Sequence, residues 1–123
     1  MTLDTNILIA YLTGEPAVVA VLDEARARGI PLFLPAAVEA EFLSFSKWSV
    51  EQRRMMEKFL EENFIFIPLD RPLVRRAADL RARTKIKFAD ATIAATALFT
   101  NTPLATRNIR DFKDIAALTL LPL

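Results

Sequence analysis

The chain contains no cysteine and no histidine, and only two glycines among its 123 residues. Without cysteine there is no disulfide and no thiolate metal site. Without histidine the commonest zinc ligand, the usual general base and the imidazole pair of metal-free ribonucleases are all excluded. Any catalysis is left to carboxylates, hydroxyls, Lys, Arg or a metal held by oxygen ligands. No window has the uninterrupted apolar length of a membrane span. The charge of Asp4 stands ahead of any apolar segment that could read as a signal peptide. The cytoplasm is the expected compartment. A strong excess of one charge is also missing: 16 basic and 15 acidic residues leave a net charge of +1. Nucleic-acid binding would have to come from local basic patches.

What is abundant is apolar surface. The chain is 53% hydrophobic, with a mean hydropathy of +0.27. A length of 123 residues suits one compact domain over residues 1–123. A domain of that size cannot hide all of its apolar surface in one core. Part of it is expected to face a partner.

With so few glycines, breaks are read from Pro, Asn and capping residues. Residues 2–4 read as a very short strand and 6–12 as a helix closed by Thr13-Gly14-Glu15-Pro16. A second helix starts at Pro16 and stops at Gly29, with Val18, Val21, Leu22 and Ala25 at helical spacing. Ile30 to Leu34 reads as a buried strand ending near Pro35, and 36–46 as a third helix. Ser49-Val50-Glu51-Gln52 matches a capping box and opens a helix to about Glu62, with Asn63 as its C-cap. Phe64 to Ile67 has strand length, and Asp70 before Pro72 reads as the N-cap of a helix through Arg83. Residues 89–99 form a further helix, Leu104 to Thr106 a short strand, and Leu118 to Leu121 a last one. Strands apolar on both faces that alternate with helices predict an α/β sandwich, its parallel sheet covered by helices. In such a sheet, ligands bind beyond the carboxyl ends of the strands.

Several acids stand where apolar residues are expected. Asp4 ends the first strand, where it can cap the next helix or hold a ligand. Asn6 can cap as well. Asp90 lines up with Ile93, Ala94 and Ala97, so a carboxylate heads an apolar stripe. A first-turn aspartate favoured by the helix dipole explains the same position. Glu41 aligns with Val38, Phe42 and Phe45, and Glu39 with Phe42 and Leu43; periodicity does not choose between the two glutamates. Thr106-Arg107-Asn108-Ile109-Arg110-Asp111-Phe112 follows a strand, where turn and capping roles again compete with a site role. Asp4, Asp90 and Asp111 belong to segments that can converge on one rim, with Glu41 expected to face inward beside them. Two bare carboxylates about 5 Å apart repel by about 3 kcal/mol at an effective dielectric of 20. Such a cluster calls for protons or cations, and oxygen ligands alone favour Mg²⁺ or Mn²⁺.

Four segments carry a resemblance: Leu3-Asp4-Thr5-Asn6-Ile7-Leu8, Val38-Glu39-Ala40-Glu41-Phe42-Leu43, Asp90 to Leu98, and Thr106 to Phe112. Together, in this order and over almost the whole chain, they resemble the PIN domain and, within it, the VapC type of toxin from toxin–antitoxin pairs. The resemblance implies a PIN-like three-layer sandwich with a short, mostly parallel sheet. It implies a Mg²⁺- or Mn²⁺-dependent endoribonuclease that leaves a 5′-phosphate and a 3′-hydroxyl. It carries Asp4, Glu41 (rather than Glu39), Asp90 and Asp111 over as the catalytic acids, with Asp4, Asp90 and Asp111 on the metal. Asn6, Thr106 and Asn108 follow as supporting polar residues. It also implies a homodimer and a cognate antitoxin.

Two departures stand out. The chain before Asp4 is shorter than is usual, which leaves the first strand little room to pair. Thr100-Asn101-Thr102-Pro103 replaces the glycine that often follows the late helix, so a different turn is expected.

The basic stretch Arg71, Arg75, Arg76, Arg81, Arg83, Lys85 and Lys87 leads to Asp90. It reads as a solvated helix face or as a phosphate track. Lys85, Lys87, Arg107 and Arg110 are the candidate RNA contacts. Phe42, Phe45, Trp48, Met55, Met56 and Phe59 crowd the third and fourth helices, and some of that surplus is expected to be covered by a second copy or an antitoxin helix.

A phosphorelay receiver would need an acceptor aspartate on a central strand, but no aspartate lies between Glu24 and Asp70. A haloacid-dehalogenase-like phosphatase would need a second aspartate where Asn6 stands. The remaining alternative is a non-catalytic PIN-like module that binds RNA or protein.

Overall fold

Thr2 and Leu3 form a strand of only two residues, β1, yet this strand is the middle of the sheet. The computed structural model describes residues 1–44 and 47–123. Its elements run β1, α1 (Thr5–Leu12), α2 (Pro16–Ala27), β2 (Phe33–Pro35), α3 (Ala36–Ser44) and α4 (Val50–Asn63). Then follow β3 (Ile65–Ile67), α5 (Arg71–Arg83), α6 (Phe88–Thr100), β4 (Leu104–Ala105), α7 (Ile109–Phe112) and β5 (Leu120–Leu121). The strand order is β3-β2-β1-β4-β5 and every pairing is parallel. The helices flank this sheet, so the predicted α/β class holds.

The expectation that β1 has little room to pair is corrected. Thr2 stands in register with Phe33 on one side and with Leu104 on the other. Beyond the strand's own bounds, Phe33 N donates to Met1 O at 2.8 Å and Asp4 N to Ala105 O at 3.0 Å. A short strand suffices because both of its edges are paired.

The core is continuous from sheet to helices. Leu3, Leu34 and Leu104 are fully buried with Ile7 and Leu8 of α1, Leu22 of α2, Val38 of α3 and Leu73 of α5. In α6 every residue from Ala91 to Ala97 is buried, so this helix is enclosed all round. Its small side chains permit the close packing. The two buried hydroxyls are satisfied within the helix: Thr92 donates to Ala89 O at 2.7 Å and Thr96 to Thr92 O at 2.8 Å.

Several local readings hold and several shift. Ser49 and Gln52 form the predicted capping box, and Asp70 caps α5 by accepting from Leu73 N at 3.3 Å. Asn63 is the last residue of α4 rather than its cap, and its amide donates to Phe59 O at 2.8 Å. β2 begins at Phe33, later than predicted; Ile30 and Pro31 are exposed outside it. β3 is not covered on both faces. It is an edge strand, and Ile65 and Phe66 stay about half exposed, at 49% and 48%.

Of the aromatic and methionine surplus, Phe42 is buried, while Trp48, Met56 and Phe59 are half-buried. Met55 and Val50 remain 65% and 70% exposed. Phe45 and the predicted end of the third helix at residue 46 lie outside the described residues. Among the described residues, no single helix is long and apolar enough to cross a membrane.

The turn after α6 is made by Asn101, whose φ of 54° and ψ of 45° are left-handed. Thr102 N closes it on Ala97 O at 3.1 Å. Asn thus takes the conformation that a glycine favours, because its short side chain tolerates this region. Asn101→Gly is expected to match or exceed the wild type in stability. Asn101→Val is expected to lose about 1–2 kcal/mol in urea denaturation. Equal stability of the valine variant would contradict this reading of the turn.

Candidate active site

In the order β3-β2-β1-β4-β5, the chain runs outward in opposite directions from β1 and from β4. A crevice therefore opens beyond the carboxyl ends of these two neighbours. Asp4 follows β1 and Thr106 follows β4. Asp4 is only 6% exposed. Its Oδ1 accepts from Thr5 N at 2.8 Å, while its Oδ2 accepts from the Thr106 hydroxyl at 2.7 Å and from the Asn6 amide at 3.4 Å. Capping α1 and joining the crevice are therefore one geometry for Asp4, not alternatives. Burial pushes its pKa up; the Thr106, Thr5 and Asn6 hydrogen bonds pull the other way, and the charge of Asp111 adds to the rise.

Asn6 does not cap. It lies inside α1, and Asp4 holds the N-cap position. Asn6 braces instead: its amide donates to Asp4, and its Oδ1 accepts from Arg107 N at 3.2 Å. Thr106 is fully buried. Its hydroxyl also accepts from Asn108 N at 2.9 Å, and the Asn108 amide donates to Asp111 Oδ2 at 2.7 Å. A relay of polar side chains thus runs from Asp4 through Thr106 and Asn108 to Asp111.

Asp90 sits in the first turn of α6, half-buried. Its pKa is pushed up to about 6, first by burial, then by the charges of Asp4, Asp111 and Glu41, with Lys87 opposing. Those causes place Asp4, Asp111 and Glu41 within electrostatic reach of Asp90.

The expected inward-facing Glu41 is corrected. Val38 and Phe42 are buried, but Glu41 is exposed and reaches the crevice from its rim, where Oε1 accepts from the Thr5 hydroxyl at 3.2 Å. Glu39 points elsewhere. Burial and the charges of Glu61 and Glu57 on α4 raise its pKa. Among the described residues, no three acids stand close enough to make a finished metal-ligand group. As donors the acids are all hard oxygens, the kind that suits Mg²⁺ or Mn²⁺ rather than a soft metal.

Asp90 and Asp111 line a cavity of about 200 Å³ together with Lys85, Lys87 and Arg110. Asp114 also lines it. Asp111 and Asp114 flank Phe112 in the sequence, and Phe112 is buried in the core as that placement predicts. Arg107 is not in the cavity wall. Its guanidinium makes a two-point contact with Glu15, through Nη1 to Oε1 at 3.2 Å and through Nη2 to Oε2. The arginines of α5 are exposed, away from buried Leu73 and Ala77. Of the basic stretch, only Lys85 and Lys87 reach the cavity.

A parallel α/β sheet with acids gathered at its switch point defines the class of this protein. A family model of the PIN domain matches residues 1–118, and the chain belongs to the PIN domain family. In structure it is similar to VapBC2 from Rickettsia felis, solved bound to a DNA fragment from their promoter. The TM-score is 0.84 at 24% identity, covering 99% of this chain and 97% of that one. It is also similar to a toxin–antitoxin complex from Klebsiella pneumoniae, with a TM-score of 0.78 at 28% identity, covering 96% of this chain and 94% of that one. FitAcB from Neisseria gonorrhoeae gives a TM-score of 0.74 at 27% identity, covering 98% of this chain and 95% of that one. No curated protein matches the sequence.

The raised pKa of Asp90 has a consequence for stability. The folded protein holds the Asp90 proton more tightly than the unfolded chain, whose ordinary value is 3.8. The contribution favours folding below about pH 3.8 and is lost as pH rises to about 6, leaving a standing cost at pH 7. In EDTA, Asp90→Asn is expected to raise Tm at pH 7 by about 4 °C, a shift discounted for the solvent that reaches this group. The difference should shrink as pH falls from 6 and vanish only well below 3.8, where Asp90 is protonated in both states. A variant that melts lower than the wild type at pH 7 would remove the repulsion argument.

Proposed function

We propose that this chain is a metal-dependent endoribonuclease that hydrolyses RNA phosphodiester bonds, and that it is the toxin of a toxin–antitoxin pair. The observation that carries the reading is that the charges of Asp4, Asp111 and Glu41 all act on Asp90 at the switch point, where Asp90 and Asp111 share a cavity with Lys85, Lys87 and Arg110. Membership of the PIN domain family supports it, as does likeness to solved toxin–antitoxin complexes.

Asp4, Asp90 and Asp111 are the residues that would hold Mg²⁺ or Mn²⁺. The bound ion supplies positive charge for the scissile phosphate and lowers the pKa of a water. The remaining tasks belong to the chain. Thr106 and Asn6 orient the Asp4 carboxylate, and Asn108 orients that of Asp111. Glu41, held through Oε1 by Thr5, has Oε2 left to take the proton of the attacking water. Water adds to phosphorus, the bond from phosphorus to the 3′-oxygen breaks, and that oxygen takes up a proton from solvent, which gives a 5′-phosphate and a 3′-hydroxyl. Lys85, Lys87 and Arg110 would bind the phosphates on the α6–α7 side of the cut. Arg107, bound to Glu15, is not assigned a phosphate.

The exposed apolar side chains Val50, Met55 and Phe66 support covering by a second copy in a homodimer or by the antitoxin. The setting of the reaction is the cytoplasm.

The test is cleavage of an end-labelled mixed RNA pool by purified protein in Mn²⁺, Mg²⁺ or EDTA. Metal-dependent cutting is expected. It should fall by more than about 100-fold in Asp4→Asn and Asp90→Asn, and by about 10- to 100-fold in Thr106→Val, the usual cost of losing a ligand's partner. Full activity of Asp4→Asn sinks the assignment. No cutting by the wild type, with no Mn²⁺ bound in titration, favours a non-catalytic PIN-like module that binds RNA or protein.

A further inference from the structure

The contact between Glu15 and Arg107 joins residues 92 apart in the sequence. Glu15 stands at the corner where α1 and α2 meet, bent by 99°. Pro16 follows it and restricts it to extended backbone, and its φ of −63° and ψ of 117° obey that restriction. Its own N–H is tied to Ala10 O at 3.0 Å. Glu15 is thus a carboxylate presented from a stiff corner.

Arg107 lies between Thr106 and Asn108, the two residues whose side chains hold Asp4 and Asp111. It is anchored twice on the α1 side: its backbone N–H donates to Asn6, and its guanidinium forks onto both Glu15 oxygens. A forked arginine–carboxylate contact fixes direction as well as distance. Both side chains are partly exposed, at 40% and 45%. A pair in that setting adds little to global stability. Its effect is local: it determines where the 106–108 segment sits.

We propose that Glu15 and Arg107 form a positioning clamp that holds residues 106–108 against α1, and through them aligns the Asp4 and Asp111 carboxylates. Arg107 acts here through its neighbours and not as a contact to RNA. The kinetic part of this inference rests on the nuclease reading above; the structural part does not. Small displacements of reacting groups are costly in rate, so a weak surface contact can matter here.

The experiment compares wild type with Glu15→Gln, Arg107→Ala and the reversed pair Glu15→Arg with Arg107→Glu. Amide hydrogen exchange is read at Arg107 and Asn108, with buried Ile93 as the control. In Glu15→Gln and Arg107→Ala, exchange at 107 and 108 is expected to quicken by about fivefold, the upper range for an exposed pair. Ile93 should be unchanged, and the reversed pair should restore slow exchange. High salt should bring the wild type towards the variants.

In RNA cleavage, Glu15→Gln should lower kcat by about tenfold with KM unchanged, and the reversed pair should recover most of it. Unchanged exchange in both single variants overturns the clamp. So does a lower KM with full kcat in Glu15→Gln, because that marks Arg107 as a phosphate contact masked by Glu15. If the wild type cuts no RNA, the nuclease reading fails, and exchange still decides the clamp.

Discussion

Asp4 is a carboxylate that must be buried and satisfied at once, and the centre of the molecule is arranged around that requirement. A buried acid is costly unless its oxygens find donors. Here the donors come from both sides of the switch point: Thr5 and Asn6 from the start of α1, and Thr106 from the end of β4. The Asp4 backbone N–H meets Ala105 O as well. The same contacts that satisfy the acid therefore hold β1 and β4 together at their carboxyl ends. A two-residue strand in the middle of a sheet is stable under these conditions because little of its backbone is left unpaired.

The other constraint is the small-residue helix α6. Its enclosed run from Ala91 to Ala97 lets α5, α3 and the sheet pack close. That packing brings the first turn of α6, with Asp90, to the same crevice as Asp4. Burial is the first cause of the raised pKa of Asp90, and the like charges of Asp4, Asp111 and Glu41 add to it. The site thus stores repulsion that a proton or a divalent cation relieves. The cavity at this site is lined by both signs of charge: Asp90, Asp111 and Asp114 face it together with Lys85, Lys87 and Arg110.

Much of the secondary structure was legible because it depends on neighbours three or four residues apart. The Ser49 capping box, Asp70 before Pro72, and Pro16 at the head of α2 all act locally, and all were found where the sequence puts them. The misplaced readings concern contacts that local pattern cannot see. Helical spacing put Glu41 on the stripe of Val38 and Phe42, yet it stands on the rim. β3 has the composition of an interior strand, and only the sheet order makes it an edge. Arg107 reads as a free cation beside Asp111, whereas the fold brings Glu15 to it.

By itself the sequence determined the chemical menu: no thiol, no imidazole, oxygen donors only, and acids at the ends of apolar segments. It determined the α/β alternation too, since periodicity and caps are properties of short stretches. Tertiary structure decided which acids meet, how Thr106 and Asn108 link Asp4 to Asp111, and which cations face the cavity. Those relations join residues as much as 102 apart. They exist only once parallel strands have been brought side by side, which no short-range rule specifies.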